Sequence, residues 1–171
     1  MEISYNLTED DYISFNLYHM NNSKTGIRAL RIQRFLLPVF IIALSYFMTL
    51  ILDTSLSAML VTSLLFSIVW IIFYPKYFTR TIAKNVKKML KEGDNKGILG
   101  DQHMSIKEDG IVVTTKFGET KVSWEGLKTL KEDDNNFYLY VGAMNAYLIP
   151  KRQIAVSNEL RTYINSKIEY N

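Results

Sequence analysis

The side chains able to do chemistry are few and scattered. His19 and His103 are the only histidines, and there is no cysteine. Disulfides, thiol nucleophiles and Cys-based zinc or iron–sulfur centres are therefore excluded, while the redox compartment stays open. Asp101 and His103 stand two apart on a predicted strand and share a face, but a metal needs further ligands. Surface or edge placement accounts for that pair. Glu9-Asp10-Asp11 and Glu132-Asp133-Asp134 are consecutive, so their carboxylates diverge. The first group suits the opening turn of a helix, the second a solvated loop. Neither offers the convergence that general acid–base work requires. No phosphate loop, dinucleotide fingerprint or nucleophile elbow is present, and the "GILG" of residues 97–100 reads as a linker. The expectation is a protein that is not an enzyme and holds no metal and no cofactor. An enzyme using a pocket at its sheet is a further reading, with no concentrated reactive set behind it.

Binding residues are easier to nominate. Lys84, Lys87 and Lys88 lie on a basic amphipathic segment in which Phe78, Ile82, Val86 and Leu90 recur every four residues. Near an anionic membrane each such lysine contributes about 1 kcal/mol. Alternatively, the charges only set topology and the apolar stripe packs on the C-terminal domain. Lys151 and Arg152 come after the last predicted strand, where they would meet lipid headgroups or an acidic partner, or form a solvated corner. Tyr138, Tyr140 and Tyr147 suggest one exposed binding face, with cross-strand packing as the other reading. Trp124 reads as packing. Aromatic and basic residues do not interleave, so no nucleic acid is expected. A net charge of +3 says little about partners.

These residues are positioned by elements of two kinds. Residues 35–52 and 56–74 are uncharged runs of about 18 and 19 residues, each about 27–28 Å long as a helix and close to the hydrocarbon thickness of a bilayer. Asp53-Thr54-Ser55 between them reads as a turn at headgroup level, where a charge is cheap. Both runs are apolar on every face, which favours a transmembrane hairpin over a buried one in a soluble domain. A cleaved signal peptide fits less well, because the first run starts late and a second comes after it. Arg28, Arg31 and Arg34 precede the hairpin, and Lys76, Arg80, Lys84, Lys87, Lys88 and Lys91 lie beyond it. The turn has no Lys or Arg, so both termini are expected in the cytoplasm of a two-pass protein. Ser57, Ala58, Ser63 and Ser67 would let the helices approach closely. Gly93 would stop the second helix.

From Asp101 the pattern alternates with period two. Asp109-Gly110 and Phe117-Gly118 mark turns, "FYLYV" and "AYLIP" further strands, and Pro150 an end. Ser157 suits the N-cap of a last helix whose apolar face is Val156, Leu160, Tyr163, Ile164 and Ile168. An antiparallel sheet or small barrel closed by that helix is expected. Ile3, Tyr5 and Leu7 alternate in a first strand that should join this sheet and enlarge its core. Thr8 with Asp11 resembles a capping box.

The order of "SYNLTEDDYISF", two spans, "KVSW-x-x-L" with Val122, Trp124 and Leu127, "FYLYV", and "AYLIPKRQI" resembles the YcxB-like bacterial membrane proteins. The resemblance implies a pleckstrin-homology-like sheet domain on a membrane hairpin in a bacterial plasma or inner membrane. It brings no catalytic residues. The expected fold is an α+β membrane protein with residues 1–34 as an N-terminal strand and juxtamembrane helix, 35–74 as the hairpin, 75–100 as basic helix and linker, and 101–171 as the cytoplasmic β domain. The expected function is a non-enzymatic, membrane-anchored binding or scaffold module. Its partners would be membrane lipids and a membrane or cytoplasmic protein, with the oligomeric state open. The alternative is an immunity-type protein guarding its cell against a membrane-active toxin.

Overall fold

A computed structural model describes residues 1–52, 54–92, 97–155 and 157–169. Asp53, Gly93 and Val156, assigned above to the turn, the helix stop and the last helix's apolar face, lie outside the described residues. The chain is α+β. Strand β1 (Glu2–Leu7) and helices α1 (Glu9–Asn22), α2 (Lys24–Leu52) and α3 (Leu56–Glu92) come first. Strands β2 (Gly100–Ile106), β3 (Gly110–Thr115), β4 (Gly118–Ser123), β5 (Thr129–Glu132), β6 (Asn136–Tyr140) and β7 (Ala146–Pro150) come next, then helix α4 (Ser157–Glu169). Two compact units result, residues 19–84 and residues 1–18 with 85–171.

In the first unit, α2 and α3 are long and apolar enough to cross a membrane. Leu36, Phe40, Leu50 and Ile51 of α2 and Leu65, Ile72 and Phe73 of α3 each expose more than half their surface. Burial runs along one seam, where Ser63, Ser67 and Tyr74 recur at helical spacing. Each serine hydroxyl donates within its own helix, Ser63 to the Leu60 carbonyl and Ser67 to the Ser63 carbonyl. Ser57 and Ala58 are exposed, so only half of the expected small-residue set lies in the seam.

Pro75 sits inside α3. It has no N–H to give to the carbonyl four residues back, which belongs to Ile71. Arg34 of α2 supplies the missing donor, with Nε 2.9 Å from that oxygen. Tyr74 donates to the Gln33 side chain beside it. Arg34→Met should therefore cost the hairpin about 1–2 kcal/mol, the penalty of an orphaned carbonyl. In a Pro75→Ala background, where the backbone N–H returns, the same change should be nearly neutral. A double-mutant cycle of helix unfolding in mixed detergent micelles checks this.

The second unit is built from two antiparallel sheets. One has the order β1-β2-β3-β4, the other β5-β6-β7. β1 pairs along its whole length with β2, Ile3 opposite Met104 and Tyr5 opposite Gln102. Its alternation places Ile3 and Tyr5 in the core shared with Met104, Val113, Phe137 and Ile149. Leu160 and Ile164 of α4 are fully buried in the same core. Gly110 opens β3 with φ +152°, and a Cβ there would stand 2.1 Å from the Val122 carbonyl oxygen, so the hairpin tolerates only glycine.

The sheets do not close into a barrel. After β4 the chain enters a 3-10 turn, Trp124–Gly126, and β5 starts only at Thr129. The Trp124 indole N–H is shared between the Lys107 and Glu108 carbonyls, at 3.2 and 3.0 Å. That anchors the turn against the β2–β3 hairpin. Helix α1 opens with the Thr8/Asp11 box: Thr8 N–H donates to the Asp11 carboxylate at 2.9 Å, and Asp11 N–H to the Thr8 hydroxyl at 3.3 Å. Its Phe15 packs with Leu7, Tyr138, Tyr140 and Leu148 in a second cluster.

Candidate functional site

The nominated tyrosines do not form one exposed face. In the β6–β7 ladder Tyr138 stands opposite Leu148 and Tyr140 opposite Ala146, whereas Tyr147 stands opposite Leu139. Directly paired residues share a face, so Tyr147 is on the other side from Tyr138 and Tyr140. Tyr138 and Tyr140 are 0 and 8 % exposed, because α1 covers them. The Phe15 ring lies 5.4 Å from Tyr138 and 5.9 Å from Tyr140, and Tyr18 lies 4.8 Å from Tyr138. Burial first, then the Asp133 carboxylate 2.5 Å away, raises the Tyr138 phenol far above its ordinary value.

Lys151 and Arg152 are engaged inside the domain. Lys151 Nζ lies 2.7 Å from Glu132, 2.5 Å from the Asp133 carbonyl and 4.7 Å above the Phe137 ring. Arg161 of α4 meets the same Glu132 oxygen at 2.7 Å. Burial pushes the Glu132 carboxyl up, but the two cations outweigh it and hold it low. Arg152 grips Asp11 with both terminal nitrogens, at 2.5 and 2.7 Å. Burial likewise raises the Asp11 carboxyl, and the Arg152 and Thr8 hydrogen bonds bring it below the usual range. The corner expected to be solvated or lipid-facing is a pair of structural knots.

The expected solvated loop at Asp133 is also structural. Its carboxylate accepts the N–H groups of Asn135 and Asn136 at 2.8 and 2.7 Å, which closes the β5–β6 turn. Among the lysines of α3, Lys87 pairs with Glu9 at 3.0 Å and Lys88 with Glu92 at 3.5 Å. The hydrogen bond and the charge of Glu9 raise the Lys87 ammonium. Lys84 is exposed. His103 is a surface strand residue 2.9 Å from the Ser4 hydroxyl, and Asp101 accepts from the Asn6 amide at 2.7 Å.

What the residues do build is a cleft of about 520 Å³ at the mouth between the two sheets. Its polar lining includes Gln102, Thr115, Thr120 and Tyr147; its apolar lining includes Leu7, Val113 and Phe117. Among the described residues no Lys or Arg lines it, and Glu119 is its carboxylate. The Tyr5 phenol donates to Gln102 at 3.2 Å beside it. Burial raises both Tyr5 and Tyr147, so both phenols stay neutral hydrogen-bond donors at physiological pH. Of the nominated residues only Tyr147 belongs to this cleft. The cleft's other lining residues come from separate stretches of chain, and no local motif links them.

The chain is thus an α+β protein with two long apolar helices and two small antiparallel sheets that line a cleft. The YcxB-like protein family model matches residues 106–165, the stretch from the end of β2 into α4. No curated protein matches the chain. No solved structure matches it either.

Proposed function

We propose that this chain is a membrane-anchored, non-enzymatic binding module. The observation that carries the reading is the place of the apolar hairpin in the chain. It is spliced between β1 and β2, two strands paired over six residues. The sheet domain therefore needs chain from both sides of the hairpin. Two antiparallel sheets with a packed C-terminal helix support a pleckstrin-homology-like domain. The charge distribution of the flanks supports a two-pass topology with both termini in the cytoplasm, in a bacterial plasma membrane.

The cleft sets the kind of ligand. A volume of about 520 Å³ suits a side chain or a short extended segment. Among the described residues that line it no cation meets an anionic headgroup, and Lys151 and Arg152 already have carboxylate partners. A protein segment is the favoured ligand. A photo-crosslinking residue at Phe117, which is 57 % exposed on the rim, should capture one discrete protein in cells. Lipid adducts alone would overturn the protein-segment reading. Because the chain has no cysteine, single cysteines at Ser55 and Thr120 report topology. Ser55→Cys should label from outside the cell, and Thr120→Cys only after permeabilisation. The reverse pattern would sink the orientation.

A further inference from the structure

The sheet edges of the domain are treated unequally. On β1, the Asn6 N–H donates to Gln153 Oε1 at 2.7 Å, and Gln153 Nε2 donates back to the Asn6 carbonyl at 2.9 Å. One side-chain amide thus occupies the β1 edge as a strand would. β7 packs beside β1, and α4 packs beside β5, where Arg161 reaches Glu132. β4 is paired with β3 on one side, and among the described residues no strand lies on its other side. Of its six residues all but Val122 are exposed.

The uncovered edge has a definite hydrogen-bonding phase. Thr115 and Gly118 flank a two-residue loop and form the closing pair of the β3–β4 hairpin. Alternation along the ladder then turns the backbone N–H and C=O of Gly118, Thr120 and Val122 toward β3. Those of Glu119, Lys121 and Ser123 point outward. The outward pair Glu119 and Lys121 also carries opposite charges two residues apart on one face, their side chains exposed and 4.0 Å apart.

We propose that β4 is a self-association edge, pairing antiparallel with β4 of a second copy about a two-fold axis at Thr120. In that register Glu119 faces Lys121 of the other copy and Lys121 faces its Glu119. Both are hydrogen-bonded positions, and both place opposite charges directly across. Thr120 meets its own mate at the non-hydrogen-bonded position, where side chains approach closest. A parallel in-register pairing would instead set Glu119 on Glu119 and Lys121 on Lys121. The interface is isologous and closes at two copies. A lysine on an open edge ordinarily discourages pairing; here a glutamate two residues away converts it into a selector for the antiparallel mate. Anchoring in one membrane, as proposed above, raises the effective concentration enough for a short edge to suffice.

The absence of native cysteine makes the test direct. Full-length Thr120→Cys in isolated membranes, treated with a mild oxidant, should give a disulfide-linked dimer, since the paired Cβ atoms lie within reach. Thr114→Cys, exposed one strand in from the edge, should not. Adding Glu119→Lys or Lys121→Glu to Thr120→Cys should each lower the dimer about tenfold, like charges replacing two attractive pairs. Co-expressing those two variants should restore it as a mixed dimer. Absence of the Thr120→Cys dimer, indifference to both charge reversals, or disulfide adducts only with other proteins would overturn the proposal. In the Phe117 capture experiment a second copy of this chain would report the neighbouring β4 edge, and only a different protein reports the cleft.

Discussion

Phe137→Ala is expected to destabilise the sheet domain by about 3–5 kcal/mol. Phe137 is fully buried near the start of β6, the middle strand of its sheet, opposite Ile149 on β7 and Glu132 on β5. Truncation leaves a cavity that two sheets and a helix border, so no one element can collapse into it. The ring also lies under two cations, Lys151 at 4.7 Å and Arg161 at 5.8 Å. Those cations converge on Glu132, so the ring supports the knot that joins β5, the end of β7 and α4. Phe137→Leu separates the two contributions. It refills most of the volume but removes the π face, and should cost about 1–2 kcal/mol. Urea unfolding of the full chain in micelles, monitored by Trp124 fluorescence in each variant, measures both. Equal losses for the two would mean that cavity formation is not the main contribution.

Arg152→Met is expected to cost about 2–3 kcal/mol. Asp11 is only 4 % exposed, and its carboxylate faces the Arg152 guanidinium and the Thr8 box. Stripping the partner from a buried carboxylate costs about 3–5 kcal/mol when the site is dry. The guanidinium side chain is 47 % exposed, so water offsets part of that loss. Asp11→Asn in the same chain should recover part of the stability, because a neutral amide needs no counter-charge. The pH dependence has a definite sign. The folded Asp11 and Glu132 carboxyls lie below their unfolded values. Their contribution is complete above about pH 4–5 and is lost as pH falls through the depressed folded values. Arg152→Met should flatten that acid limb, whereas Lys84→Met, at an exposed position, should leave it unchanged.

Several elements are legible because a local pattern carries them. Ile3, Tyr5 and Leu7 alternate as a strand, and the composition of so small a domain asks for that strand in the sheet; it is there, paired with β2. Thr8 and Asp11 form the expected capping box. Trp124 packs in the core as expected. The placement of the tyrosines is not legible, because period two tells which residues share a face on one strand, not the register between strands. A slip of one residue between β6 and β7 would bring Tyr147 to the face of Tyr138 and Tyr140. Their burial has no local signal either. A sheet covered on both sides needs a helix from elsewhere, and α1 is separated from β6 by the whole hairpin.

The sequence by itself determined the repeating features: two long apolar helices, strands at period two, turn glycines, and the absence of thiol chemistry. Each arises from interactions among residues a few positions apart, which chain geometry fixes without reference to anything distant. Only the tertiary structure decided that Arg152 belongs to Asp11, 141 residues away, that Lys151 and Arg161 share Glu132, and that Gln153 stops the β1 edge while no strand among the described residues covers the outer edge of β4. Those pairings depend on which surfaces the core brings together. That choice is made by packing summed over both sheets and α4, and no short stretch of chain contains it.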